Sequence, residues 1–468
     1  MRGPTIDSLR ATSVARHLFL TVSLLIPAVA HADLSRNTVV GDAIDDVTLT
    51  DSKRNSTHAS LRAIAKEPWH EGVFTVSFRT GARAVEIPWC AGRKSVRIDG
   101  TPKKVPNGAA VVELPEGEHA IDVQVDAGPY EHRIACGGPF RAGVVRATHV
   151  GLQSLHFASP YPSLGGGSAI VFLPSSIDPR GSARAPLLVG LHPWNGSPHT
   201  YTAYRSLFEE AEARGVILLF PSGLGNSLYT AAAEEEVMRA IDAAASELPI
   251  DRARISLWGA SMGGAGATTI GLHRPDQFAS ITSFFGDSAY DLGTYVKSIL
   301  RDEAGAHAVN AIDVVENARH TPVWLIHGEA DTVSSVKQSD ILNDSLRRLG
   351  YSVRYDRVPG RGHEGSLVEM YAHDLIQLAA TASATLHPER ITFKSVRARD
   401  RTAYGVTIEK RKEGDAFIDI EISSGSLHIL RAQNVARLTL DRAYAPSGAP
   451  RVVFGESAGE HPAVRVSQ

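Results

Sequence analysis

The chain has 468 residues, a formal net charge of −3 and a hydrophobic fraction of 43%. That length exceeds one typical domain, and the composition is that of an ordinary globular protein. A mild acidic balance with no basic stretch suited to phosphate backbones excludes a nucleic-acid partner.

Residues 1–32 read as a signal peptide. Arg2, Arg10 and Arg16 give a positive start. Leu18, Phe19, Leu20, Val22, Leu24, Leu25 and Ile26 give an apolar run, and Ala30-His31-Ala32 an A-x-A cleavage signal. The run is short for a membrane span, and nothing later in the sequence is long and apolar enough to cross a membrane. A secreted or periplasmic location is therefore expected.

Residues 33–150 lack helical periodicity. Strands are predicted at 73–78, 95–99, 110–114 and 120–125, with Pro115-Glu116-Gly117-Glu118 joining the last two as a hairpin. The expectation is a β-sandwich-like domain, serving as a scaffold or a carbohydrate binder. The two cysteines, Cys90 and Cys136, both fall here, and an even pair in an exported chain predicts one disulfide. The histidines are scattered and neither C-x-x-C nor H-E-x-x-H occurs, so no zinc site and no cofactor are predicted.

Residues 151–385 alternate strand and helix. An apolar strand at 186–191 runs into the loop His192-Pro193-Trp194-Asn195-Gly196-Ser197. A strand at 216–220 is followed by a loop at 221–229 and a helix at 231–248. Val237, Met238, Ile241 and Leu248 should face inward, while Glu234, Glu235 and Glu236 suit the positive end of the helix dipole. The loop lies at the sheet edge that carries the reactive residues, which makes Asn226 and Tyr229 candidate substrate contacts.

Next come the apolar run Ile255-Ser256-Leu257-Trp258, the turn Gly259-Ala260-Ser261-Met262-Gly263, and small residues up to Leu272. A G-x-S-x-G turn between strand and helix lifts a serine hydroxyl out of a strained corner. Its glycines are required because side chains there collide with neighbouring elements. Residues 287–320, with Tyr290 and Tyr295, form the longest insertion and are expected to cap the site. A strand ends at His327-Gly328 with Asp331 just beyond. A helix at 336–349 and a strand at 352–358 lead to Pro359-Gly360-Arg361-Gly362-His363. From 386 to 468 five short strands predict a small β domain with a stabilising, dimerising or sugar-binding role.

Ser261, Asp331 and His363 each fall just past the C-terminal end of a predicted parallel strand, the edge where ligands bind in open sheets. Their chain order is serine, acid, histidine. Ser261 is expected to act as nucleophile, His363 as general base, and Asp331 as the group that orients the imidazole and stabilises its charged form. Asp287 is the reserve acid. Two backbone donors are needed for an oxyanion, and Met262, after the nucleophile, supplies one. Pro193 has no N–H, so the second falls to Trp194 or a close neighbour. Trp194 also suits a wall of an acyl pocket.

Residues from about 160 to 380 resemble the alpha/beta-hydrolase superfamily. Within it they are similar to the group that joins secreted feruloyl and acetylxylan esterases to prolyl oligopeptidase-like catalytic domains. The resemblance is carried by Ile170-Val171-Phe172-Leu173-Pro174, Leu191-His192, Pro221-Ser222-Gly223, the stretch from Gly259 to Ala267, His273-Arg274-Pro275-Asp276-Gln277-Phe278-Ala279 and His327-Gly328-Glu329-Ala330-Asp331. Many relatives carry His-Gly where this chain has His192-Pro193.

The fold class this implies is α/β: a mostly parallel sheet flanked by helices at 151–385, with the N-terminal β-sandwich-like domain at 33–150 and the small β domain at 386–468. The activity it implies is hydrolysis of carboxylic esters through an acyl-enzyme, on a small-molecule or polysaccharide ester such as a feruloyl conjugate. The rival readings are a prolyl oligopeptidase-like serine peptidase and a non-enzymatic binding protein on a retired hydrolase fold.

Overall fold

The computed structural model describes residues 33–467 except 36, 45, 61–72, 88–89, 91–92, 106–109, 127–139, 148–150, 162–163, 165, 291–302, 424 and 447. The predicted signal peptide, Cys136 and Tyr295 lie outside the described residues.

A nine-stranded sheet organises the middle of the chain. Its order is Asp33–Ser35, Gly151–His156, Ser168–Leu173, Ile217–Pro221, Ala185–Leu191, Ile250–Ala260, Ser280–Phe284, Val323–Gly328 and Val353–Val358. The last six are parallel to one another, and the first three pair antiparallel. Ala185–Leu191, Ile217–Pro221, Ser280–Phe284 and Val323–Gly328 are buried along their whole length. That is why they read as continuous apolar runs rather than alternating ones.

Helices cover both faces. Ala232–Glu247, Met262–His273 and Lys337–Arg348 contribute to one apolar cluster, and Arg205–Arg214 and Ala372–Thr381 to the other. The chain leaves Ala185–Leu191 towards Ile217–Pro221 on one side, and leaves Ile250–Ala260 towards Ser280–Phe284 on the other. The crevice between these diverging connections is the ligand-binding position of an open α/β sheet.

Two further cores flank the sheet. Before residue 150, a six-stranded and a four-stranded sheet share one apolar cluster that includes Val76, Val96 and Ile121 from the first and Val85, Ile87 and Val112 from the second. The predicted hairpin at Pro115–Glu118 is corrected here. Ala110–Glu113 and His119–Asp126 belong to different sheets, so the turn crosses from one to the other. Cys90 is buried in this cluster, and no free cysteine is found among the described residues. After residue 389, two four-stranded sheets enclose a third cluster built on Ile391, Phe393, Ile418, Ile429 and Leu438.

The described part of the 287–320 insertion does not cap the crevice. It packs beneath Met262–His273, where Thr269 donates to the Val309 carbonyl and Asn317 to the Leu272 carbonyl. Asn317 also exchanges hydrogen bonds with the Lys394 backbone, so the segment links the catalytic helix to the C-terminal β unit. No described helix is long and apolar enough to cross a membrane.

Candidate active site

Ser261 stands at a corner between Ile250–Ala260 and the helix that starts at Met262, with φ 56° and ψ −120°. A non-glycine residue in this region is strained and is held there by its surroundings. The Ser261 N–H donates to the Phe284 carbonyl at 2.9 Å, which ties the corner to the neighbouring strand. A Cβ on Gly263 would overlap the Leu191 carbonyl oxygen, and one on Gly259 would overlap the Gly263 backbone. The glycines are needed because helix and strands meet backbone to backbone.

The residues expected to act with Ser261 converge on it. Its hydroxyl lies 2.8 Å from His363 Nε2, and His363 Nδ1 lies 2.7 Å from Asp331 Oδ2. With the proton on Nδ1 donated to Asp331, Nε2 accepts from the serine hydroxyl. The Asp331 carboxylate is fully buried. Its Oδ1 accepts from the backbone N–H groups of Val333 and Ser334. Burial opposes charge on it, but hydrogen bonds from His327, His363 and Val333 outweigh that and hold its carboxyl well below the usual range.

Asp287, the reserve acid, is buried behind Asp331 and accepts from the Ser334 hydroxyl at 2.6 Å. His327, which the sequence marked only as part of a motif, is fully buried with Nε2 3.4 Å from Asp331 Oδ2.

Met262 is the first residue of its helix, so its N–H belongs to the four that lack an intrahelical partner. In the facing loop, the Asn195 N–H donates to Asn226 Oδ1, the Gly196 N–H to the Pro193 carbonyl, and the Ser197 N–H to Thr200 Oγ1. Pro193 has no N–H to donate, and Trp194 follows it in this loop. Its side chain is among the exposed large hydrophobic ones.

Of the two candidate substrate contacts, Tyr229 needs correction. Tyr229 is fully buried, and its hydroxyl donates to the His192 carbonyl at 3.2 Å. It supports the loop from beneath rather than lining the cleft. Asn226 is half-buried with both ends of its amide engaged by Asn195. It clasps two loops together.

The acidic run after this loop falls at the start of its helix, with Glu234 and Glu235 in the first turn. Glu234 is fully buried and accepts from Arg274, Arg397 and Arg399. Glu236, also buried, accepts from the Gly167 N–H and the Ser159 hydroxyl. No group of three or more residues placed to hold a metal is found among the described residues.

Residues 225–380 match the prolyl oligopeptidase family. A curated relative, acyl-protein thioesterase 1 of Neurospora crassa, is 30% identical over 127 residues, which is 27% of this chain and 45% of the relative. The match thus spans less than half the relative's length. Among solved structures, an S-formylglutathione hydrolase from Agrobacterium tumefaciens is 17% identical with a TM-score of 0.44, covering 50% of this chain and 96% of its own. The fluorophosphonate-binding serine hydrolase F of Staphylococcus aureus is 16% identical with a TM-score of 0.42, covering 49% and 98%. The matched region is that of an alpha/beta-hydrolase, a serine hydrolase of the esterase or peptidase kind.

Proposed function

We propose that the chain is an exported esterase that cleaves carboxylic esters through an acyl-enzyme on Ser261. The observation that carries this reading is the unbroken line Ser261 Oγ, His363 Nε2, His363 Nδ1, Asp331 Oδ2, at 2.8 and 2.7 Å. The serine hydroxyl attacks the acyl carbon while its proton passes to His363 Nε2. Asp331 holds the tautomer and stabilises the imidazolium. The Met262 and Trp194 N–H groups receive the oxyanion. His363 then protonates the departing alcohol, and water repeats the sequence to release the acid.

Ester over peptide is supported by the similarity of 127 residues to a curated acyl-protein thioesterase. Polysaccharide acyl or feruloyl groups remain the proposed natural substrates. The peptidase reading is the second, favoured by the family match at 225–380. Residues 1–32 are proposed as a cleaved leader, Cys90 and Cys136 as a disulfide of the exported protein, and 33–150 and 386–468 as separate β domains.

The test is serine-dependent turnover by wild type and Ser261→Ala on one panel: p-nitrophenyl acetate and butyrate, an acyl thioester, methyl ferulate, acetylated xylan, and proline and alanine p-nitroanilides. Turnover confined to the oxygen and sulfur esters is expected. Turnover of the anilides would transfer the site to peptides. The mass of the exported protein before and after reduction and thiol alkylation tests the leader and the disulfide.

A further inference from the structure

One short turn, 284–287, touches every part of the reactive line. The Phe284 carbonyl accepts the Ser261 N–H at 2.9 Å. The Phe285 ring lies 4.5 Å from the His363 ring, centroid to centroid, at 59°. It also lies 6.5 Å from the ring of His327, the histidine that approaches Asp331. A Cβ on Gly286 would overlap the backbone of Gly264 and Ala265, in the first turn of the helix after Ser261. Asp287 holds the Ser334 hydroxyl, and the Ser334 N–H holds Asp331.

Phe285 itself is unusual. It is buried, and its φ is 41°, a left-handed conformation that a bulky side chain adopts only under constraint. Its N–H donates to the Ile326 carbonyl of the next strand at 2.7 Å, which fixes that conformation. An extended residue at 285 would continue the strand and point its side chain out from one face of the sheet. The left-handed turn instead places the ring against the imidazole of His363, which itself comes from a loop between glycines and has no regular element of its own to hold it.

We infer that Phe285 is a positioning residue for His363. Its ring forms the surface that fixes the imidazole plane so that Nε2 meets the Ser261 hydroxyl while Nδ1 meets Asp331. This inference rests on the Ser261–His363–Asp331 reading above. The ring acts through His363, against which it packs.

The experiment compares Phe285→Leu, which removes the ring, with Phe285→Tyr, which keeps it. Leu375→Ala, in the same apolar cluster as Phe285, reports the effect of lost packing alone. For each, kcat and KM on p-nitrophenyl acetate, the rate of Ser261 inactivation by a fluorophosphonate, and the melting temperature are measured. Phe285→Leu is expected to lower kcat and the inactivation rate together by about 10- to 100-fold with KM nearly unchanged, the scale of a small misplacement of a catalytic group. Phe285→Tyr is expected to recover most of that loss, and Leu375→Ala to lose melting temperature without this change in kcat. If Phe285→Leu does not fold, Phe285→Met, close in volume, takes its place.

A ring-less variant at the wild-type rate overturns the inference. So does a loss that Leu375→Ala reproduces at equal loss of stability. Should Ser261→Ala keep its turnover, the underlying triad reading fails. An inactive Ser261→Ala beside a fully active Phe285→Leu defeats this inference alone.

Discussion

Asn195 and Asn226 clasp each other across two loops. The Asn195 N–H donates to Asn226 Oδ1 at 2.7 Å, and Asn226 Nδ2 donates back to Asn195 Oδ1 at 2.8 Å. Asn195 takes a left-handed backbone, φ 57°, which asparagine tolerates better than most residues. The clasp fixes the residue next to Trp194, the proposed second oxyanion donor. Asn226→Ala is expected to lower kcat for ester hydrolysis by about 10-fold, less than the roughly 100- to 1000-fold for loss of a donor itself. KM should move little, because the loop is loosened without removing a substrate contact. Steady-state kinetics on p-nitrophenyl butyrate check this.

Two buried carboxylates stand one behind the other, and only Asp331 reaches His363. Asp331→Asn is expected to reduce kcat by about 1000- to 10,000-fold, since an amide no longer selects the productive tautomer. Asp287→Asn retains the oxygen that accepts from Ser334, so a loss below about 10-fold is expected. Equal losses in the two variants, from the same kinetics, would contradict this division of roles.

The serine corner, the acid loop and the histidine loop were legible because each is a local signal: glycines around a reactive residue at the end of an apolar run. Tyr229 was not, because its burial depends on Gly266 and His192, which the fold brings over it. Glu234 read as suited to a helix start, which says nothing of its burial. Its burial depends on Arg397 and Arg399, 163 and 165 positions further on. The turn at Pro115 looked like a hairpin because both flanking strands alternate, and alternation does not say which of two facing sheets a strand joins.

The Gly263 site tests how close the backbones are. Gly263→Ala forces a methyl group into the Leu191 carbonyl, and neither partner is a flexible side chain. A loss of about 3 kcal/mol is expected, the upper range for an overpacked core. Gly362→Ala is the contrast, since its Cβ would first meet the Ala330 carbonyl at 3.8 Å, an ordinary contact. Urea unfolding of both variants should separate them clearly, although Gly362 is the nearer in sequence to His363.

The C-terminal β unit is joined to the catalytic region by charge buried on both sides. Glu234 meets Arg274, Arg397 and Arg399, while Asp400 meets Arg397 and His273. Burial opposes the charge on Asp400, but His273, with Nδ1 2.9 Å away, and the nearby Arg397 guanidinium win and hold its carboxyl down to about 2. A depressed acid favours the folded state above its ordinary value and loses that contribution as pH falls towards the folded value. Asp400 therefore stabilises fully above about pH 4, and this is lost between about pH 4 and pH 2, a span worth about 2 kcal/mol. Glu234 is lowered as well, its three arginines outweighing its burial, so its contribution falls in the same direction. Acid unfolding followed by circular dichroism should show a shallower pH dependence in this window for Asp400→Asn than for wild type. At neutral pH, Glu234→Gln leaves three guanidinium groups facing a neutral amide. It is expected to cost about 3–5 kcal/mol, the scale of a broken buried ion pair. If both variants matched wild type in the acid titration and in urea, the join between the two units would not depend on this charge.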